Sequence, residues 1–298
     1  MKRPGLLLAL GVGSALILAA CGDSGGSRSD AVAAITTTAV PDRFASFADA
    51  ASSLTGSVEG WCADADGGGL AEQVNVTRIA WVSVLPFWFG PVMERRSRFI
   101  IDPTVTTSDV LDILDAGDPV DAAALRELYG ADQRGLAVIE ELIGLAGGAV
   151  PERQLCEYAT ASAGLVAEEA AALAATWRDV GPDLAVDDEA ANATIEGAVN
   201  EVLFGLVGLA NDPAVHVAEA KLAGMRWTIL GDPTASTGNT VGMSGLLDDE
   251  VVEQLTAEFD AAAGLDAEAI MDLERTITTN VVSSLGLSVQ FSDADGDG

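Results

Sequence analysis

Histidine is the scarcest reactive residue in this 298-residue chain: there is one, His216, set between Val215 and Val217. A lone imidazole excludes a His-Glu-x-x-His zinc helix, which needs two imidazoles one turn apart. A Ser-His-Asp triad would have to recruit His216, and no nucleophile elbow accompanies it. His216 reads as a helix-end or loop residue. Positive charge is scarce too: 15 Lys and Arg stand against 46 Asp and Glu, a net charge of −31. No basic stripe offsets this, so nucleic acid is excluded as a partner. The acidity itself reads as serving solubility, with a cation-collecting role as the alternative that net charge alone does not identify. Aromatics are only 5% of the residues, while Ala, Leu and Val dominate an apolar content of 49%. That mix suits packed helices better than a β-sandwich. No phosphate-cradling Gly-rich loop follows the first 20 residues.

Long apolar runs are also missing. The longest, residues 6–20, falls short of the roughly 20 apolar residues that a bilayer-spanning helix needs. Lys2 and Arg3 precede this run and Leu18-Ala19-Ala20-Cys21 ends it. A short positive region, an apolar stretch and small residues before a cysteine make a cleaved secretory signal. The small residues and the cysteine resemble a lipobox, so residues 1–20 are expected to be a lipoprotein signal peptide. Cys21 would then be acylated and become the membrane anchor. The alternative is an ordinary secretory signal with a chance cysteine. Gly22-Asp23-Ser24-Gly25-Gly26-Ser27 has the Gly/Ser character of a flexible tether, placed here at residues 21–40. Loss of the signal removes Lys2 and Arg3 and takes the net charge to −33.

Cysteine is rare as well, with three in the chain. Once Cys21 is spent on lipid, Cys62 and Cys156 remain. An even pair in an exported protein is most simply a disulfide. Two buried free thiols are the alternative, and two cysteines alone make an incomplete metal site.

What the chain does have is helical periodicity. Residues 30–62 read as helical with an interruption near Pro41, and Gly67-Gly68-Gly69 as a loop. Residues 71–89 are apolar on nearly every face, with Trp81, Leu85 and Trp88 at helical spacing. They predict a buried helix that kinks or ends near Pro86 and Gly90-Pro91. Residues 93–107 look irregular. Short helices follow over 108–114 and 121–129, with Ser108 and Asp121 as N-caps.

Residues 130–145 are amphipathic and stop at Gly147-Gly148 and Pro151. Residues 152–177 align Leu155, Ala159, Val166, Leu173 and Trp177 on one stripe. Residues 188–210 place Ile195, Val199, Val202, Leu206 and Leu209 at steps of four and three, the seam of antiparallel bundle packing. A loop over 231–245 separates them from helices over 248–263, with Val251, Leu255, Phe259 and Ala262, and over 266–285, with Ile270, Leu273, Ile277 and Val281. No convincing strand occurs. Gly181-Pro182 marks the expected boundary between two halves, 41–182 and 183–298. A faint echo between residues 141–146 and 204–210 fits two related bundles.

At the C-terminal end, Asp293-Ala294-Asp295-Gly296-Asp297-Gly298 matches positions 1, 3, 5 and 6 of a calcium loop. The sequence ends before the ligands at positions 7 and 12, so a tight EF-hand site is not expected.

Several of these segments together resemble the imelysin-like family. They are Trp81, Phe89-Gly90-Pro91, the run from Arg134 to Glu140, Arg153-Gln154-Leu155-Cys156-Glu157-Tyr158 and residues 285–297, in the family's order across nearly all of the chain after the signal. The resemblance implies an all-α fold of two helical bundles forming a pseudo-repeat. It also implies a metallopeptidase name and an association with bacterial iron uptake. The family signature is Gly-x-His-x-x-Glu where the bundles meet. Here that frame reads Gly135-Leu136-Ala137-Val138-Ile139-Glu140, with alanine at the histidine position. A methyl group neither ligates a metal nor moves a proton.

The expectation is therefore a membrane-tethered, non-catalytic binding protein of the cell envelope in an iron-uptake setting. The alternatives are a peptidase with an altered metal site and a structural envelope lipoprotein. Gly135, Glu140, Arg134, Asp293 and Asp295 are the binding candidates. The family frame implies that Glu140 faces inward beside Arg134 or Arg153, where the residues alone leave an exposed carboxylate on a solvated face as the alternative. No metal ligand set is complete; Glu140 and Asp293 are the weak candidates for a divalent cation such as iron or calcium. The expected cleft is lined by Glu140, Arg134 and residues 291–297. Expected partners are the membrane, through the lipid, and envelope components of iron uptake.

Overall fold

The computed structural model describes residues 27–117, 120–212, 214–231 and 242–288. Cys21, Asp293 and Asp295 lie outside these residues, as do the expected signal peptide and C-terminal calcium-like loop. The described residues are helical and contain no strand. None of their helices is long and apolar enough to cross a membrane.

The centre is a trio of long helices. Helix α1 (Arg28–Ala34) passes through a π-turn at Ile35–Ala39 into α2 (Val40–Asp64). That π-turn is the interruption expected near Pro41; it absorbs one extra residue just before the proline, which has no N–H to donate. Val32, Ile35, Thr36 and Val40 are buried, and the Thr36 hydroxyl donates to the Gly181 carbonyl at 2.9 Å. The span assigned to a tether at 21–40 is therefore corrected from Arg28 onward: its apolar residues have a core to join.

Helix α3 (Gly67–Val84) turns back along α2. The three glycines expected as a loop form its first turn instead. The Asp66 side chain caps the helix by accepting from the Gly69 N–H at 3.0 Å, which offsets the poor helix propensity of glycine. Gln73 and Thr77 both donate to the Ala50 carbonyl, at 3.0 and 3.2 Å.

Three short helices, α4 (Arg98–Ile101), α5 (Thr107–Ala116) and α6 (Ala122–Glu127), lead to α7 (Leu136–Ala146) and the long α8 (Arg153–Val180). Asp121 caps α6 as expected. The cap of α5 is Thr106 rather than Ser108, because Thr106 and Asp109 close a capping box there. Helices α2 and α8 run antiparallel and are clasped at both ends. Cys62 and Cys156 form a disulfide, with Cα atoms 5.7 Å apart. At the other end Phe44 stacks on Trp177 at 5.7 Å, beside Phe87 and Phe89.

Beyond α8 come α9 (Asp188–Leu206) and α10 (Val215–Leu230), then α11 (Asp249–Ala262), α12 (Ala267–Thr276) and, after a π-turn at Ile277–Val281, α13 (Val282–Leu285). The periodicity reading did not find α10. That helix buries Val217, Leu222, Met225, Trp227, Ile229 and Leu230, which lie on more than one side of it. A helix covered on several sides shows no single stripe. Helix α10 runs parallel to α3: His216 Nε2 meets Asn75 Oδ1 at 2.8 Å, and eight residues on Gly224 abuts Ser83. A Cβ on Gly224 would sit 2.7 Å from the Ser83 carbonyl oxygen, so the crossing requires glycine.

Candidate functional site

The Gly-x-x-x-x-Glu frame occupies the start of α7. Gly135 is the N-cap residue, with φ 88° and ψ −164°. A Cβ here would lie 2.6 Å from the Ile101 carbonyl oxygen and 2.8 Å from that of Ile100. The first turn of α7 is thus seated against the end of α4, and this contact sets the position of the next residue, Asp102. Leu136, Val138, Ile139 and Leu142 face the core. Glu140 is left on the opposite side, with 44% of its side chain exposed.

Glu140 is paired, but not with the arginines expected from the sequence. Its partner is Arg78, in the middle of α3. Arg78 Nη1 donates to Glu140 Oε1 at 2.7 Å, and Nη2 to Oε2 at 2.8 Å. The same guanidinium donates to Asp102, from Nε to Oδ2 at 2.8 Å and from Nη2 to Oδ1 at 3.0 Å. Two carboxylates therefore grip one guanidinium from two sides, each through both oxygens. Planar forks of this kind are the strongest geometry open to an arginine pair. Arg78 and Asp102 are mostly buried, with 12% and 18% of their side chains exposed.

The electrostatics follow from that burial. Desolvation works against the Arg78 charge, yet its hydrogen bonds and attraction to Glu140 and Asp102 outweigh it and raise its pKa well above the ordinary arginine value. Asp102 moves the other way from a usual salt-bridged acid. Burial raises its pKa more than Arg78 lowers it, Glu140 adds to the rise, and Lys221 on α10 draws it back. Lys221 itself donates to Asp212 at 2.6 Å.

The other expected residues are elsewhere. Arg134 spends its guanidinium on backbone carbonyls, those of Phe99 at 3.0 Å and Leu125 at 3.1 Å, and so staples α6 to α4. Arg153 pairs with Glu157 one turn along α8 at 2.8 Å. Ala137 is half-buried near the start of α7. Asp102 also lines a cavity of about 570 Å³ with Arg98, Phe99, Pro103, Thr104, Ala131 and Asp132. On its Arg98 side, that guanidinium lies 3.9 Å over the Trp88 ring and bonds Glu201. Burial pushes the Glu201 carboxyl up, against the pull of Arg98. A separate buried cluster joins Glu169 to Arg95 through two contacts of 2.9 Å and to the Ser97 hydroxyl at 2.7 Å; it ties α8 to the turn before α4. Among the described residues, no three His, Cys, Asp or Glu side chains are grouped so as to hold a metal ion.

Sequence reasoning missed Arg78 and Asp102. One signal for Arg78 was available: it is the only charged residue between Gln73 and Phe89, and a lone charge on an apolar helix calls for a partner.

The Imelysin family model matches residues 40–225, which span α2 to most of α10. Among curated proteins, no sequence matches the chain. The fold is similar to that of an imelysin-like protein from Psychrobacter arcticum 273-4, with a TM-score of 0.67, 17% identity, and coverage of 89% of this chain and 97% of that one. It is also similar to a protein from Parabacteroides distasonis ATCC 8503 described as an iron-regulated protein A precursor, with a TM-score of 0.66, 12% identity, and coverage of 89% and 96%. The matched span contains Arg78, Asp102, Gly135 and Glu140, and on it this chain belongs to the imelysin family.

Proposed function

We propose that this chain is a lipid-anchored, non-catalytic imelysin-family protein of the cell envelope that binds a ligand or partner in an iron-related setting. The observation that carries the non-catalytic part is the occupation of both Glu140 oxygens by Arg78, beside an alanine where the family signature has histidine. Catalytic zinc takes about three protein ligands and keeps an open position. A carboxylate held in a bidentate arginine fork next to a methyl group supplies neither, so the residues present do not fit a catalytic metal. The iron-related setting draws on the family and on the description of the Parabacteroides distasonis protein. The anchor draws on Leu18-Ala19-Ala20-Cys21.

The cavity beside Asp102 is the recognition surface in this reading. Phe99 and Pro103 supply apolar contact, and Asp132 and Thr104 supply polar contact. The test is an assay of purified protein against an unfolded substrate with zinc, iron or calcium added. No cleavage is expected. Chelator-sensitive cleavage that disappears in Glu140→Gln would replace this reading with an altered-site peptidase. Fatty-acid labelling tests the anchor: wild type should incorporate label and Cys21→Ala should not.

A further inference from the structure

We propose that Arg78 is a built-in counter-cation, occupying the position between Asp102 and Glu140 that a divalent metal ion would otherwise take. The case is one of charge and donor geometry. Four carboxylate oxygens, from residues far apart in sequence, converge on one guanidinium at 2.7 to 3.0 Å. Two ionised carboxylates, one of them mostly buried, repel one another unless a cation between them or a shared proton offsets their charge. The chain meets that requirement with a side chain from α3, the helix that runs past both the end of α4 and the start of α7. Nη2 is shared by the two acids, which ties them to a common centre as a metal ion ties its ligands.

A guanidinium differs from a metal ion in three respects. It cannot exchange, it keeps its charge at every physiological pH, and it offers no open coordination position to a substrate. The site therefore holds its shape without a bound ion. Its acids are hard oxygen donors, so the ion that would replace Arg78 is calcium or manganese in preference to zinc. This inference shares its site with the proposed function but not its readout. A peptidase result bears on that function alone, whereas ion binding and stability bear on Arg78.

The experiment uses the full mature chain after EDTA treatment, with calcium, manganese or zinc chloride as probes in equilibrium dialysis and thermal melts. Wild type should bind none of them at the site, and its melting temperature should stay unmoved. Arg78→Ala should be destabilised. It should recover with one calcium or manganese ion bound at a Kd of roughly 10⁻⁴–10⁻³ M, the range of weak all-oxygen sites. Adding Glu140→Gln should abolish that response. Should Arg78→Ala fail to fold in EDTA, folding upon adding calcium or manganese supports the proposal, and failure with every ion overturns it. The charge balance is tested apart from ions by comparing Arg78→Met with the triple variant Arg78→Met, Asp102→Asn, Glu140→Gln. The triple variant, which has no charge left to neutralise, should be the more stable of the two. The proposal is overturned if the triple variant is no more stable than Arg78→Met. It is overturned equally if wild type binds one divalent ion that Glu140→Gln abolishes, or if folded Arg78→Ala ignores all three.

Discussion

Replacing Gly135 by alanine perturbs the α4–α7 seat on which the clamp depends, and its cost can be worked from two separable contributions. The first is backbone. At φ 88° and ψ −164° the residue lies in a region that is essentially restricted to glycine, where a side chain costs about 1–3 kcal/mol. The second is steric. The new Cβ would stand 2.6 and 2.8 Å from two carbonyl oxygens and 2.9 Å from Pro103 Cδ, all closer than real contacts allow. Backbone must move, at about 1–3 kcal/mol for overpacking of this kind. The expected loss is therefore roughly 2–6 kcal/mol. Gly147→Ala supplies the control. Gly147 also has positive φ, at 60°, but nothing lies within 4 Å of its Cβ position. Ala65, Arg96 and Leu265 already hold similar left-handed conformations in this fold. Gly147→Ala should cost only about 1–2 kcal/mol. The assay is guanidinium chloride unfolding followed by circular dichroism. Equal losses for the two variants would refute the claim that α7 is seated tightly against α4. Because the clash falls on the carbonyls just before Asp102, Gly135→Ala should also weaken the hold of Asp102 on Arg78.

Two further outcomes follow from the packing and the charges. The Cys62–Cys156 bond spans a sequence separation of 94 residues, so the Cys62→Ser, Cys156→Ser double variant should lose up to about 4.7 kcal/mol in the chain-entropy model; an unchanged denaturation midpoint would refute it. For Glu201, burial raises the folded pKa above its ordinary 4.5 despite Arg98. The folded chain then holds this proton more tightly than the unfolded one, and the stability so contributed is present below pH 4.5 and lost as pH rises through the folded value. Wild type should thus lose stability relative to Glu201→Gln as the pH is raised from below 4.5 towards neutrality; denaturation midpoints that instead favour wild type with rising pH would contradict the assignment.

Much of the fold was legible in the residues because helices carry their own periodicity. The stripe of Leu255, Phe259 and Ala262 reports which face of α11 is buried, Asp121 and Gly147 mark ends through local hydrogen bonding and left-handed backbone, and the even pair Cys62 and Cys156 pointed to the bond that joins them. Helix α10 escaped because burial on several sides erases the stripe, and α3 began earlier than its glycines imply because the Asp66 cap acts through geometry that composition does not reveal. The site was legible only at Gly135, Ala137 and Glu140. Arg78 lies 62 residues before Glu140 and 24 before Asp102, and no periodicity links them. Periodicity states that a face is covered but not by what, whereas an ion pair depends on which charges the packed helices bring within about 3 Å of each other. That choice was made by the crossing of α3 with α4 and α7, and it gave Glu140 a partner in Arg78 while Arg134 turned to backbone carbonyls.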